Sequence, residues 1–300
     1  MERNRRAVPG NRGQFFAWFG VACGLLMATM SCGAATLVYE GFDYPAGSLL
    51  QNDTPLNGGG GFTSGWEDLV GLAPVEDQEI VEAGSLAYPG LTSAGNSLRF
   101  RSFESSESGI RRHINQIPGT SGTTVWLSFL VRKDSGTSGF DACYLELSAI
   151  GGATVRIGDI PANPSSNAFS FSFSLFGGTG TTDANPTNVP VGLGITHWVL
   201  ASFEFGTTSD VLSLYVDRQV GGPLGSPDMT RRLTNFNGIA EVRFWADNMH
   251  VEGDDESGTA AYTIDEFRIE DVPEPGTTSA LMVAAALFLA RRRRAKSPRS

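Results

Sequence analysis

The stretch Ala168–Gly177 reads AFSFSFSLFG, and its alternation decides the fold. Phe169, Phe171, Phe173 and Leu175 fall on one side of an extended chain, and Ser170, Ser172 and Ser174 on the other. Successive side chains alternate sides in this way only along a strand, and aromatic residues suit a pleated, half-buried surface. In a helix the same phenylalanines would be scattered around the circumference.

The same period recurs on both sides. TTVWLSFLVRKD sends Val125, Leu127, Phe129 and Val131 to one face. ACYLELSAI does so with Cys143, Leu145, Leu147 and Ala149, which gives Cys143 the role of a small core filler. GITHWVLASFEFG, DVLSLYVDR, IAEVRFWAD and AYTIDEFRIED continue the series, separated by turn formers such as GTTSD and GGPLGSPD. No long stretch before residue 277 has helical periodicity. Many strands joined by hairpin-length connections predict an all-β, antiparallel two-sheet jelly-roll sandwich over residues 36–271, a closure that also manages edge strands.

The two ends read differently. Arg3, Arg5, Arg6 and Arg12 precede an apolar run from Phe15 to Met30 and the small residues SCGAAT, the layout of a signal peptide that signal peptidase would cut after Ala35. At the other end, Thr277–Ala290 is a run of 14 residues without charge. As a helix it would be about 21 Å long against a hydrocarbon core of roughly 30 Å. It is read as a short transmembrane helix whose flanking Arg291, Arg292, Arg293 and Arg294 snorkel to the interface. The arginines stay cytoplasmic, so residues 36–272 lie outside the inner membrane.

Val272, Pro273, Glu274 and Pro275, followed by that apolar run and the arginine cluster, resemble the PEP-CTERM sorting signal over residues 272–300. The resemblance implies recognition by an exosortase, which processes a membrane-anchored precursor near Pro273–Pro275. It also implies export to the cell surface or matrix of a Gram-negative, biofilm-forming bacterium and an association with extracellular polysaccharide. LVYEGFDYPAGSLL, GGGGFTSGW, THWVLASFEFGTTSDVLSLYVD and YTIDEFRIED are in turn similar to concanavalin-A-like, laminin-G-type jelly rolls. That likeness implies pairing of the first and last strands, through Tyr39–Phe42 and Ile264–Ile269, and a frequent sugar-binding role with calcium nearby.

Charge narrows the partners. Residues 36–276 hold 12 of the 22 basic and 31 of the 32 acidic residues, a formal charge near −19. This excludes nucleic acid and anionic lipid surfaces as partners and leaves room for divalent cations. Of three cysteines only Cys143 lies beyond the signal, so no intramolecular disulfide is available.

Chemistry is harder to find. Sandwich glycosidases place two carboxylates on one strand, about 5 Å apart for retention, and no Glu-x-Asp-x-Glu run occurs here. VEDQEIVE (75–82) reads as a loop, and the adjacent Asp265 and Glu266 of TIDEF are expected on opposite faces of their strand. His113, His197 and His250 are scattered, with His197 expected half-buried on one hydrogen bond. NGGGGF (57–62) precedes no helix and lacks a lysine, so it reads as a flexible turn rather than a phosphate loop.

Two binding features stand out. DNMHVEGDDES gathers Asp247, Asn248, Glu252, Asp254 and Asp255 in one loop, a candidate calcium site whose plain alternative is a solvated acidic loop. Trp66, Trp126, Trp198 and Trp245 are candidate sugar-stacking residues, with core packing the alternative for each. Trp126 and Trp198 sit opposite the apolar stripes of their strands. The sequence therefore reads as an exported, exosortase-sorted, non-enzymatic carbohydrate-binding or adhesion protein. A polysaccharide-active glycosidase or lyase, and a purely structural matrix protein, are the alternatives.

Overall fold

The computed structural model describes residues 35–50, 56, 58–69, 79–102, 108–135, 141–159, 168–175, 189–190, 192–234, 236–248 and 260–271. Its strands are β1 (Ala35–Glu40), β2 (Glu67–Asp68), β3 (Glu79–Glu82), β4 (Ser97–Ser102), β5 (Ser108–Pro118), β6 (Thr124–Ser135), β7 (Asp141–Ala149) and β8 (Ala153–Asp159). They continue with β9 (Ala168–Leu175), β10 (Val189–Pro190), β11 (Thr196–Glu204), β12 (Asp210–Val216), β13 (Met229–Leu233), β14 (Gly238–Asn248) and β15 (Ala260–Asp271). The expected signal peptide, the Val272–Pro275 motif, the 277–290 helix and Arg291–Arg294 lie outside the described residues. Among those described, no helix is long and apolar enough to cross a membrane.

The strands form two antiparallel sheets. An eight-stranded sheet has the order β13-β12-β11-β6-β15-β4-β3, with β1 joining β15 beyond β4; a seven-stranded sheet has the order β10-β9-β8-β7-β14-β5-β2. The jelly-roll sandwich expected from the alternation is present. Val38 pairs with Ile269 and Glu40 with Phe267, so the first and last strands lie side by side as the resemblance implied. Phe171 in AFSFSFSLFG sits opposite Ile157 of β8.

The apolar halves of the strands meet between the sheets. Leu127, Phe129 and Val131 of β6 face Leu145 and Leu147 of β7 and Val242 and Phe244 of β14 within one core, all of them buried. Phe244 is the hub, with ring centroids at 5.6 Å from Phe267, 5.8 Å from Trp66, 6.1 Å from Phe42 and 6.2 Å from Phe100. Cys143 is the buried filler expected of it, and burial pushes its thiol well above the ordinary value.

Two polar groups interrupt this core and tie it together. The Tyr262 hydroxyl of the larger sheet donates to Asp159 of the smaller at 2.9 Å, with Lys133 Nζ 3.6 Å from the same carboxylate. Near β1, the Glu40–Arg112 ion pair at 2.7 Å is buried on both sides. Arg112 also donates to the Gly58 and Ser64 carbonyls and lies 4.0 Å over the Phe62 ring. The Gly58–Gly61 run is not a free turn. Gly60 exchanges backbone hydrogen bonds with Tyr39, and a Cβ on Gly61 would fall 2.0 Å from the Leu37 carbonyl oxygen. Glycine is what lets this segment press against β1.

Two readings are corrected by β-bulges and pairing. Glu79–Glu82, read as loop, is strand β3 paired with β4. The register of β15 against β6 shifts between Asp265 and Arg268, and Glu266 takes φ 53°. A bulge sets two residues against one, so Asp265 and Glu266 both turn toward the Leu86–Asn96 segment rather than to opposite faces.

Candidate functional site

The polar halves of the central strands assemble a site on the outer face of the seven-stranded sheet. On β14 the core takes Val242, Phe244 and Ala246, which leaves Glu241, Arg243 and Trp245 outside. A register shift between Ile239 and Glu241 keeps Ile239 in the core while Glu241 stays with the outer row. On β7 the same alternation puts Tyr144, Glu146 and Ser148 outside, and on β5 Gly109, Arg111 and His113.

Pairing arranges these residues in rows across the strands. One row runs Gly109, Trp245, Tyr144, Gly158 from β5 to β8. The next runs Arg111, Arg243, Glu146, Arg156, and the third His113, Glu241, Ser148, Thr154. Rows two residues apart along a strand are spaced by roughly 7 Å.

The first row is an aromatic platform. Trp245 and Tyr144 stack with centroids 6.4 Å apart and planes 28° from parallel. The indole lies against Gly109, where a Cβ would fall 2.7 Å from Trp245 Cε3, so only glycine lets the ring lie down on the neighbouring strand. Gly158, with φ 150°, admits the Cys143–Tyr144 backbone equally closely.

The second row is a guanidinium ladder. Arg243 Nη1 donates to Glu146 Oε1 at 2.9 Å, and Arg156 Nε to Glu146 Oε2 at 2.7 Å, so both oxygens of this buried carboxylate are taken. Arg243 Nε also donates to Glu241, whose other oxygen is 3.2 Å from His113 Nδ1. Arg111 pairs with Glu67 at 2.9 Å, and the Arg156 guanidinium sits 4.7 Å over the Tyr144 ring. Glu146 is covered while its arginines keep open surface: side-chain exposure is 3 % for Glu146 against 39 % for Arg156 and 22 % for Arg243, and Arg111 and Glu67 pair in the open at 37 % and 41 %. Tyr144 is buried beneath Arg156 and backs the half-buried indole of Trp245. Planar donors held in a fixed fork beside that indole can hydrogen-bond hydroxyl and carboxylate oxygens while the indole takes a C–H face.

The other sequence candidates fall elsewhere. Trp66 is buried against Phe42 and Phe244, and its Nε1 donates to Tyr44. Trp126 and Trp198 lie on the outer face of the eight-stranded sheet, as their alternation indicated, Trp126 beside Tyr215 and Trp198 beside Tyr88. His197 is more enclosed than expected. Its Nδ1 lies 2.6 Å from Asp217 and the Gly192 N–H points at Nε2. Of the calcium candidates, Asp247 and Asn248 end β14, while Glu252, Asp254 and Asp255 lie outside the described residues. Among the described residues no three His, Cys, Asp or Glu side chains gather as a metal site.

Only Trp245 of this site was visible as a candidate in the sequence. Tyr144, Glu146, Arg156 and Arg243 were not, although each occupies the polar half of an alternating strand. Their partners are about 100 residues away in the case of Arg243 and Glu146, 97 positions apart.

Comparison with known proteins adds two findings. Residues 271–294 match the PEP-CTERM protein-sorting motif. The chain thus carries the signal of an exported, membrane-anchored precursor processed by an exosortase. Among solved structures, an endo-1,3-beta-glucanase from Streptomyces sioyaensis superposes over 80 % of this chain and 97 % of its own, with TM-score 0.50 and 11 % identity. Alginate lyase Aly36B (TM-score 0.42, 12 % identity, 78 % and 96 % covered) and peanut lectin (0.38, 9 %, 65 % and 90 %) are more distant. At these identities the glucanase likeness shows the concanavalin-like jelly-roll fold alone. No curated protein matches the chain in sequence.

Proposed function

We propose that this protein is a non-enzymatic carbohydrate-binding module, sorted to the cell surface or matrix, that holds acidic extracellular polysaccharide on the outer face of its seven-stranded sheet. The observation that carries the reading is the row Arg111, Arg243, Glu146, Arg156 beside the Tyr144–Trp245 stack. In a domain with a formal charge near −19, a face that sets three arginines against Glu67, Glu146 and Glu241 is balanced rather than acidic, with guanidinium edges left partly open. It suits carboxylate-bearing sugars, whose planar oxygens match the guanidinium fork.

Trp245→Ala is expected to weaken binding of a polyuronate at least tenfold, since a stacked aromatic anchor contributes about 2 kcal/mol. Titration calorimetry checks this, and unchanged affinity would move the site elsewhere. The same titration with chelator tests whether calcium at Asp247–Asp255 supports the site.

One observation favours a lyase as the second reading. His113 and Tyr144 flank Arg243, so a proton acceptor and a cation for a uronate carboxylate share one face. Growth of the ultraviolet absorbance of an unsaturated uronate on incubation with polyuronate would establish that activity and overturn the binding-only reading. Sorting has its own test: removing Thr277–Ser300 is expected to send the domain into the medium unprocessed. Retention of that truncated protein at the envelope would contradict it.

A further inference from the structure

On the opposite side of the molecule lies a groove of about 620 Å³, within the range of small-ligand sites. Its floor is the outer face of the eight-stranded sheet. Trp198 of β11 pairs with Leu130 of β6, which pairs with Asp265 of β15, while Ser128 pairs with Arg268. Its roof is the Leu86–Asn96 strap, which brings Leu91 and Thr92 over the floor.

The strap is fastened by the bulge. Asp265 accepts the Leu86 N–H at 2.8 Å, and Glu266 accepts the Ala94 N–H at 3.1 Å. Tyr88 donates to the Arg218 carbonyl and lays its ring 5.8 Å from that of Trp198. Both carboxylates of the unexpected same-side pair are thus used to hold a wall. Arg268 is occupied by Glu266 at 2.6 Å and lies over the Tyr39 ring, so its charge is largely answered.

The chemistry of this groove differs from that of the arginine face. An indole and the side chains of Leu91 and Val220 offer an apolar wall. Glu266 and Glu270 outnumber Arg268, so the polar side accepts hydrogen bonds and repels anions. An uncharged sugar has the matching features, an apolar C–H face for the indole and hydroxyl donors for the Glu270 carboxylate. We infer that this groove is a second binding site, for one end of a neutral glycan, and that the domain is bivalent. It would hold an acidic chain on one sheet and an uncharged chain on the other. Two sites on opposite faces cannot be filled by one short oligosaccharide, so occupancy by two polymers cross-links them. The bivalence rests on the acidic-polysaccharide reading; the groove does not.

The test is calorimetry on the exported protein with maltotriose and cellotriose as neutral probes and a galacturonate trimer as the acidic one. At least one neutral trimer is expected to bind with one site per chain. That binding should weaken tenfold or more in Trp198→Ala and in Thr92→Arg, and persist in Trp245→Ala. Thr92 is an exposed strap position, so the arginine fills the groove without disturbing the core. Galacturonate binding should be unchanged in both groove variants. Absence of neutral binding, or its loss in Trp245→Ala with retention in Thr92→Arg, would overturn the groove. Loss of galacturonate binding alone would overturn the acidic site and leave the groove standing.

Discussion

Replacing Arg112 with alanine is expected to destabilise the sandwich by about 3–5 kcal/mol, the range for removing one partner of a buried ion pair. The reason is what stays behind. Glu40 has 1 % of its side chain exposed and would keep the Phe42 N–H and the Tyr44 hydroxyl, with the Trp66 indole beside them, but no charged donor. The Gly58 and Ser64 carbonyls would lose a charged donor, and Phe62 the guanidinium above it. The glycine run that Arg112 clasps is the segment paired with β1, which itself joins the last strand. Burial raises the Glu40 carboxyl above its ordinary value against the pull of Tyr44 and Arg112. Without the arginine that carboxyl rises further, so the loss should be smaller in acid. Urea unfolding of the purified domain at pH 5 and pH 8 measures both. A loss below about 1 kcal/mol at pH 8 would show that the pair is not the clasp described.

The second large effect is on pH. Burial pushes the Asp265 carboxyl up from 3.8 to about 7, offset in part by the Leu86 and Glu266 N–H groups and aided by the neighbouring Glu266 charge. Folded-state pKa above unfolded means that the native state binds a proton the unfolded chain has released. Stability from this residue is therefore full below about pH 4 and is lost as pH rises through about 7. At about 1.4 kcal/mol per unit the window is worth at most about 4 kcal/mol. Glu40 contributes in the same direction. The midpoint of thermal unfolding is expected to rise from pH 8 to pH 5. General relief of a −19 charge acts the same way, so Asp265→Asn separates the two. The variant keeps an acceptor for the Leu86 N–H, and its dependence on pH should be visibly flatter. A slope as steep as that of the wild type would remove Asp265 from the account.

How much of this was legible in the sequence follows from the range of each interaction. Strand alternation is local, so TTVWLSFLVRKD and ACYLELSAI revealed both the fold and which residues enter the core. Bulges are not local signals. TIDEF gives no sign that Glu266 adopts φ 53°, because the cause is pairing with β6 and the strap 172 positions away. The glycine run looked free because its partner, the β1 backbone, leaves no mark on composition.

The arginine face failed to show for a different reason. Reading apolar stripes discards the polar half of each strand, and the site is made of discarded halves from β5, β7, β8 and β14. The glycines opposite Trp245 and Tyr144 were the missing clue. Gly109 and Gly158 sit inside strands, where glycine is unfavourable unless something must lie flat against it.

On the proposed reading, the arginine row selects acidic polysaccharide and leaves it uncut. The measurement is a calorimetric titration of the exported protein with polygalacturonate and with its fully methyl-esterified, uncharged form, followed by sizing of both polymers. Saturable binding of the acid, affinity at least tenfold weaker for the ester, and chains of unchanged length are expected. Equal affinity for the two, no binding of the acid, or shortened chains would contradict it.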